Sequence, residues 1–360
     1  MRKSAILLFL LLLTAHKGSN SGELLQPPVE EPHEVTLVFC GDLMQHMPQV
    51  YAARSGDGYD YSGCFRFVAP MWEGADWVIA NLETTLSDRR FSGYPCFVSP
   101  WQVARDALGA GIGVMVTANN HSCDNGLKGI TQTIDCLDSL GVVHTGTFRD
   151  SASYRKLNPL ILGKNGFRIA LLNYTYDTNG IDIPRPAVVS LIDTLQMGRD
   201  ILRAKDSLAT NIVALMHWGE EYQTKPSAAQ KELAAWLHGK GVDLVIGSHP
   251  HVVQPWEYHI SPDADTLGVT VYSLGNFVSN QRKFPTYGGI CVKVTLARTP
   301  GEEGCRYNME VWNNYVSLDY KGSKYAVIPE TMIDSLPKSQ KAEFERLIKS
   351  HAALVEGGKK

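Results

Sequence analysis

Short apolar runs alternate with longer amphipathic stretches along this chain, and the two periods separate strands from helices. Residues 35–40, 77–82, 112–117 and 142–144 are compact runs rich in Val, Ile and aromatic residues, and they predict strands. Residues 100–110 read as a helix closed by Gly111, and 126–140 as an amphipathic helix stopped by Gly141. Runs 157–162 and 167–173 flank Gly163-Lys164-Asn165-Gly166 and read as a β-hairpin. Residues 190–208 and 226–238 carry the helical period, the second with Pro226 in its first turn and Gly239 and Gly241 after it. Strand pattern returns at 212–216, 242–246, 269–274, 289–296 and 307–318, and a terminal helix is expected at 338–355. Helices alternating with strands first, then a strand-rich half, predict an α/β fold with one large mixed sheet or two packed sheets.

Each predicted strand end carries polar residues. The first ends in Gly41-Asp42, the second in Asn81-Leu82-Glu83 and the third in Ala118-Asn119-Asn120-His121. Two later strands end in His217-Trp218-Gly219-Glu220 and Gly247-Ser248-His249-Pro250-His251. In open α/β sheets the carboxyl ends of strands are where ligands bind. Asp42, Glu83, Asn120, His121, His217, His249 and His251 are therefore expected in one pocket. Imidazole, carboxylate and amide oxygen suit Zn, Mn or Fe, and one carboxylate can bridge two ions. Taken singly each residue has a plain reading: Asp42 as a turn residue, Asn120 as a strand terminator, His217 as a core histidine.

With 44% hydrophobic and 20% charged residues the chain has the composition of a globular protein with a sizeable core. A net charge of −3 and a lack of long Lys/Arg runs disfavour nucleic acid as the partner. Arg2 and Lys3 precede the apolar run from Ala5 to Leu13, which is too short to span a bilayer comfortably and reads as a secretory signal. The organisation expected is a signal peptide over 1–22, a Pro- and Glu-rich linker over 23–34, the main α/β-fold domain over 35–320 and a C-terminal extension with a helix over 321–360. Cleavage is expected between His16 and Glu23, placing the protein in the periplasm, at the cell surface or in the medium. The alternative is an uncleaved anchor, the one route to a membrane. Seven cysteines without a CxxC exclude a zinc finger, and Cys291 with Cys305, flanking a Pro-Gly loop, is the first pair to test for a disulfide.

Six blocks carry a family resemblance: Phe39-Cys40-Gly41-Asp42, Asn81-Leu82-Glu83, Asn119-Asn120-His121 with Asp124, His217-Trp218-Gly219-Glu220, Gly247-Ser248-His249-Pro250-His251 and Ser273-Leu274-Gly275-Asn276-Phe277. In this order they resemble the capsule-synthesis CapA family, associated with poly-γ-glutamate and related to calcineurin-like metallophosphoesterases. The resemblance implies a four-layer α/β/β/α sandwich. It places Asp42 and His251 on one metal, Asn120, His217 and His249 on the other, and Glu83 between them. His121, with Asp124 near it, would be the acid that protonates a leaving oxygen. Met44 stands where the superfamily has a histidine, so one tight and one weak metal site are expected. The implied function is metal-dependent hydrolysis of a phosphoester or a cell-envelope, poly-γ-glutamate-related substrate, alongside other capsule-synthesis proteins. Two rival readings are a non-catalytic capsule-assembly factor and a metal-independent acid/base enzyme acting on a peptide or amino acid.

Overall fold

The computed structural model describes residues 33–260, 267–299 and 305–357. The expected signal peptide and nearly all of the expected linker lie outside the described residues. In chain order the main strands are β1 (His33–Leu43), β2 (Trp77–Leu82), β3 (Val114–Val116), β4 (Val143–Thr145), β5 (Leu160–Lys164), β6 (Phe167–Thr175) and β7 (Asn211–His217). They continue with β8 (Leu244–Ser248), β9 (Val253–Ile260), β10 (Leu267–Leu274), β11 (Asn276–Val278), β12 (Gly288–Arg298), β13 (Arg306–Tyr320) and β14 (Ser323–Pro329). The main helices are α1 (Gln102–Gly109), α2 (Gly126–Leu140), α3 (Thr194–Asp206), α4 (Ala228–Gly239) and α5 (Lys338–Gly357).

Two sheets form. The larger runs β14-β13-β12-β1-β2-β3-β4, with β11 also pairing β1, and the smaller runs β5-β6-β7-β8-β10-β9. Strand β1 shows why they stack. Val35, Leu37 and Phe39 enter the core between the sheets, while Val38 and Cys40 enter the core on the outer face. A strand buried on both faces reads as a continuous apolar run, as residues 37–40 do. The inter-sheet core also takes Val213 and Leu215 from β7 and Leu244 and Ile246 from β8. Val103, Ala104 and Ala107 of α1 cover the outer face of the larger sheet. Met197, Ile201 and Ala204 of α3, with Ala234 and Leu237 of α4, cover the smaller one. The layer order is thus α/β/β/α, as the resemblance implied.

Local chemistry sets the boundaries. Gly141 ends α2 in the left-handed conformation (φ 72°). Ser227 caps α4 in a reciprocal pair with Gln230, so Pro226 precedes the cap and is not in the first turn as expected. The β5–β6 turn is two residues, not four: Asn165 and Gly166 both take positive φ, the pair a tight hairpin needs. Strand β9 is absent from the sequence pattern because Pro255 interrupts it. As an edge strand pairing β10, it tolerates the missing N–H. Beyond residue 320 the chain supplies β14, which pairs antiparallel with β13 in the same sheet. The cysteine pairing expected from sequence fails here. Cys305 precedes Arg306, which faces Ala297, six positions along β12 from Cys291, or roughly 20 Å at the strand rise.

Candidate metal centre

The parallel strands β1, β2 and β3 of one sheet and β6, β7 and β8 of the other end on one edge of the sandwich. Asp42 reaches it through an irregularity. Cys40 pairs Ala80 but Asp42 pairs Asn81, leaving Gly41 as an extra residue that re-aims the strand end. A Cβ at Gly41 would lie 2.0 Å from the Gly275 carbonyl oxygen, so only glycine fits. Glu83 follows β2, and its N–H donates to the Leu43 carbonyl at 3.0 Å. Asn120 and His121 sit in the turn after β3, His217 closes β7, and His249 and His251 follow β8.

The side chains converge into two overlapping groups. Glu83, His217 and His249 form one and Asp42, Glu83 and His251 the other, with ligand-type atoms within 4.8 Å of one another in each. Asn120 Oδ1 lies 2.8 Å from His217 Nε2, which is 3.7 Å from Glu83 Oε1. His251 Nδ1 lies 3.0 Å from Asp42 Oδ2, and its Nε2 is 3.8 Å from the same Glu83 oxygen. Around them, Ser248 Oγ is 3.1 Å from His217 Nδ1, and Asn179 accepts from the Asn120 amide at 3.1 Å, which turns Asn120 Oδ1 inward.

Asp42, Glu83, Asn120, His217, His249 and His251 are all buried. Burial, and then the Asp42 carboxylate, push the Glu83 carboxyl well above its usual range. Burial and the neighbouring imidazoles hold His217 well below the usual value and bring His249 down to about 3. Neutral imidazoles are the form that binds metal. Glu83 Oε1 and His249 Nδ1 are buried without a hydrogen-bond partner. Two carboxylates and three histidines with inward orphan atoms fit divalent cations, since buried polar atoms otherwise find partners. The two histidines after β8 also carry strain: His249 has φ 96° and His251 φ 55°.

Residues 36–281 match the family model of the bacterial capsule synthesis protein PGA_cap. The chain belongs to this family. Among its curated relatives are a capsule biosynthesis protein CapA of Bacillus anthracis, 30% identical over 70% of this chain and 61% of its own length, and a PGA biosynthesis protein CapA of Bacillus subtilis (strain 168), 26% identical over 68% and 63%. The chain thus spans about three fifths of the length of these relatives. Solved structures that overlap it include a Haemophilus influenzae NAD nucleotidase, TM-score 0.46 and 12% identity over 89% of this chain and 63% of that one. A 5'-nucleotidase from Candida albicans SC5314 overlaps at TM-score 0.41 and 10% identity, over 88% and 57%. These overlaps are too low to add to the layer order.

In this PGA_cap member His121 stands beside the ligand groups. Its Nδ1 is 2.7 Å from Asp124 Oδ2, which also accepts the Phe97 N–H, and its ring meets Phe97 edge-on. Asp124 therefore orients the ring. His46 is outside both groups: its Nδ1 lies 3.2 Å from Gln49 Oε1 and 3.3 Å from Asn280 N, and burial lowers it to about 4. Met44 is buried. Two asparagines were not singled out for the site. Asn81 donates to Asp42 Oδ1 at 2.8 Å and Glu83 Oε2 at 3.2 Å, and accepts from Asn119. Asn173 accepts from Ala118 N at 2.7 Å and donates to the Leu215 carbonyl at 3.1 Å, joining the two sheets beside the site. An amide inside an apolar strand run was the available signal for Asn173. Tyr176 is exposed, its ring 4.6 Å from that of His249.

Proposed function

We propose that this chain is an exported metal-dependent hydrolase of a phosphoester or related cell-envelope substrate, working with other proteins in making a capsule polymer of the poly-γ-glutamate kind. The observation that carries the reading is the Glu83 carboxylate shared by two ligand groups, one with His217 and His249 and the other with Asp42 and His251, with the His121–Asp124 pair beside them. Family membership and the names of the Bacillus relatives support the capsule setting.

Glu83, Asn120, His217 and His249 would hold one divalent ion, and Asp42, Glu83 and His251 a second. The chemistry such ions supply when bound is Lewis acidity toward an ester or phosphoryl oxygen. The protein's own residues do the rest. With cations bound, Asp42 and Glu83 would present negative charge toward them. Asp124 accepts a hydrogen bond from the Nδ1–H of His121, leaving Nε2 to carry a proton to the departing oxygen. Asn120 is fixed by Asn179 so that its oxygen faces the pocket.

The test is a panel of phosphomonoesters, phosphodiesters and γ-glutamyl amides at fixed Zn, Mn or Fe. Hydrolysis of one class that is abolished by chelation supports the reading. Hydrolysis that survives strong chelation would replace it by metal-independent acid/base catalysis. Full metal occupancy without turnover of any class would leave a binding factor.

A further inference from the structure

One pair of the seven cysteines is in sulfur contact. Cys40 lies on β1, and Cys291 on β12, its antiparallel neighbour. Phe39 faces Val292, so the next position places Cys40 opposite Cys291. Both side chains enter the outer core of the larger sheet, beside Phe277 and Val316. Their sulfurs are 3.8 Å apart. Facing residues on antiparallel strands have Cα atoms about 4.5–5.5 Å apart, inside the window of about 4.4–6.8 Å that a disulfide accepts. Closing the remaining gap needs side-chain rotation, and the strand pairing already supplies the backbone.

We propose that Cys40 and Cys291 form a cross-strand disulfide in the mature protein. The setting this requires is an oxidising compartment, so in the cell it rests on the export reading above. Two thiols lose two protons and two electrons as the S–S bond forms. The acceptor is a disulfide of the compartment, either a thiol–disulfide oxidoreductase or a small-molecule disulfide, which is reduced to two thiols. Both sulfurs are buried, so the bond forms as the strands pair, and reductants reach it poorly afterwards. It clamps the end of β1 that carries Asp42 to the neighbouring strand, and it closes a loop spanning most of the chain. The five other cysteines stay reduced.

The test uses the full chain refolded with oxidised glutathione or with a reductant. Non-reducing digestion and mass spectrometry should recover a peptide linking Cys40 to Cys291. Free thiols titrated after denaturation should fall from seven to five. The oxidised protein should melt on the order of 5 °C above the reduced one. In Cys291→Ser the link is lost and the two melting curves coincide. Seven free thiols in the oxidised protein, or a Cys40 joined to any other cysteine, would overturn the proposal. The wild-type comparison stands even where the variant folds poorly. It reads neither activity nor location, so its failure is separate from failure of the hydrolase reading.

Discussion

His249 and His251 occupy backbone conformations that cost about 1–3 kcal/mol each for residues with a Cβ. Asp42 helps hold them, accepting from the His249 N–H at 3.4 Å and facing His251 Nδ1 at 3.0 Å. Such strain is sustained where side chains must point to one place, here toward Glu83. The two ligand groups are unequal. One has Glu83, His217, His249 and the Asn120 oxygen. The other has Asp42, Glu83 and His251, without a contribution from His46. Dialysis against a mild chelator should therefore leave about one metal equivalent per chain, by ligand count. His217→Ala should lose it, and His251→Ala should keep it. Two retained equivalents in the wild type would show that the sites are matched. A separate expectation concerns the acid. His121→Ala should lower turnover of the best substrate by roughly 10²–10⁴ with metal content unchanged. Asp124→Asn should shift the pH profile of turnover, since it alters the partner of Nδ1. A His121→Ala enzyme at full rate would remove His121 from the mechanism.

At the scale of elements, the site depends on the two sheets ending together, and Asn173 of β6 is one buried link between them outside the ligand groups. Removing its side chain in Asn173→Ala strands the Ala118 N–H away from water and takes one of the donors from the Leu215 carbonyl. An unsatisfied group costs about 1–3 kcal/mol, so urea unfolding should show a loss of that order. The turn that carries Asn120 and His121 begins at Ala118, so the variant should also hold its metal less firmly than a destabilised variant elsewhere. An unchanged unfolding midpoint would mean that water or another group replaces the amide. The sequence shows why this residue escapes notice. Strand ends announce themselves through an abrupt change from Val, Ile and Leu to Asp, Glu, Asn and His, and that change located every proposed ligand. Asn81 stands in a polar strand end, but its links to Asp42 and Asn119 join separate segments. Asn173 lies within a strand and its partners come from other segments, so spacing along the chain carries no trace of it. The same holds for β9 and β14. Pro255 masks the first, and the second becomes a strand only by pairing along β13. The cysteines make the converse point. Nearness across a Pro-Gly loop suggested Cys291 with Cys305, whereas strand register puts Cys40 beside Cys291.

At the scale of the whole molecule, α5 packs Phe344 and Leu347 on Tyr315, Ala326 and Ile328 of β13 and β14. This helix carries His351, which is buried, with Nδ1 2.7 Å from Asn313 Oδ1 and Nε2 without a partner. Burial lowers it from 6.5 to about 4. An exposed imidazole in the unfolded chain takes up a proton near 6.5, so between about 6.5 and 4 the unfolded state binds more protons than the folded one. Stability then rises with pH across that window. It is fully present above 6.5 and is lost as the pH falls toward 4, by up to about 3 kcal/mol from this group. Burial lowers His46 and His249 as well, and their loss has the same sign. His351→Gln keeps an amide donor for Asn313 and cannot take up a proton. Its unfolding free energy should therefore fall less steeply than the wild type's between pH 6.5 and 4.5, while the two run parallel above pH 7. Urea titrations at half-unit pH steps, on metal-free protein, measure both slopes. Parallel curves throughout would show that His351 is protonated in the folded protein without loss, and that α5 gives way or admits water before the imidazole is forced to titrate.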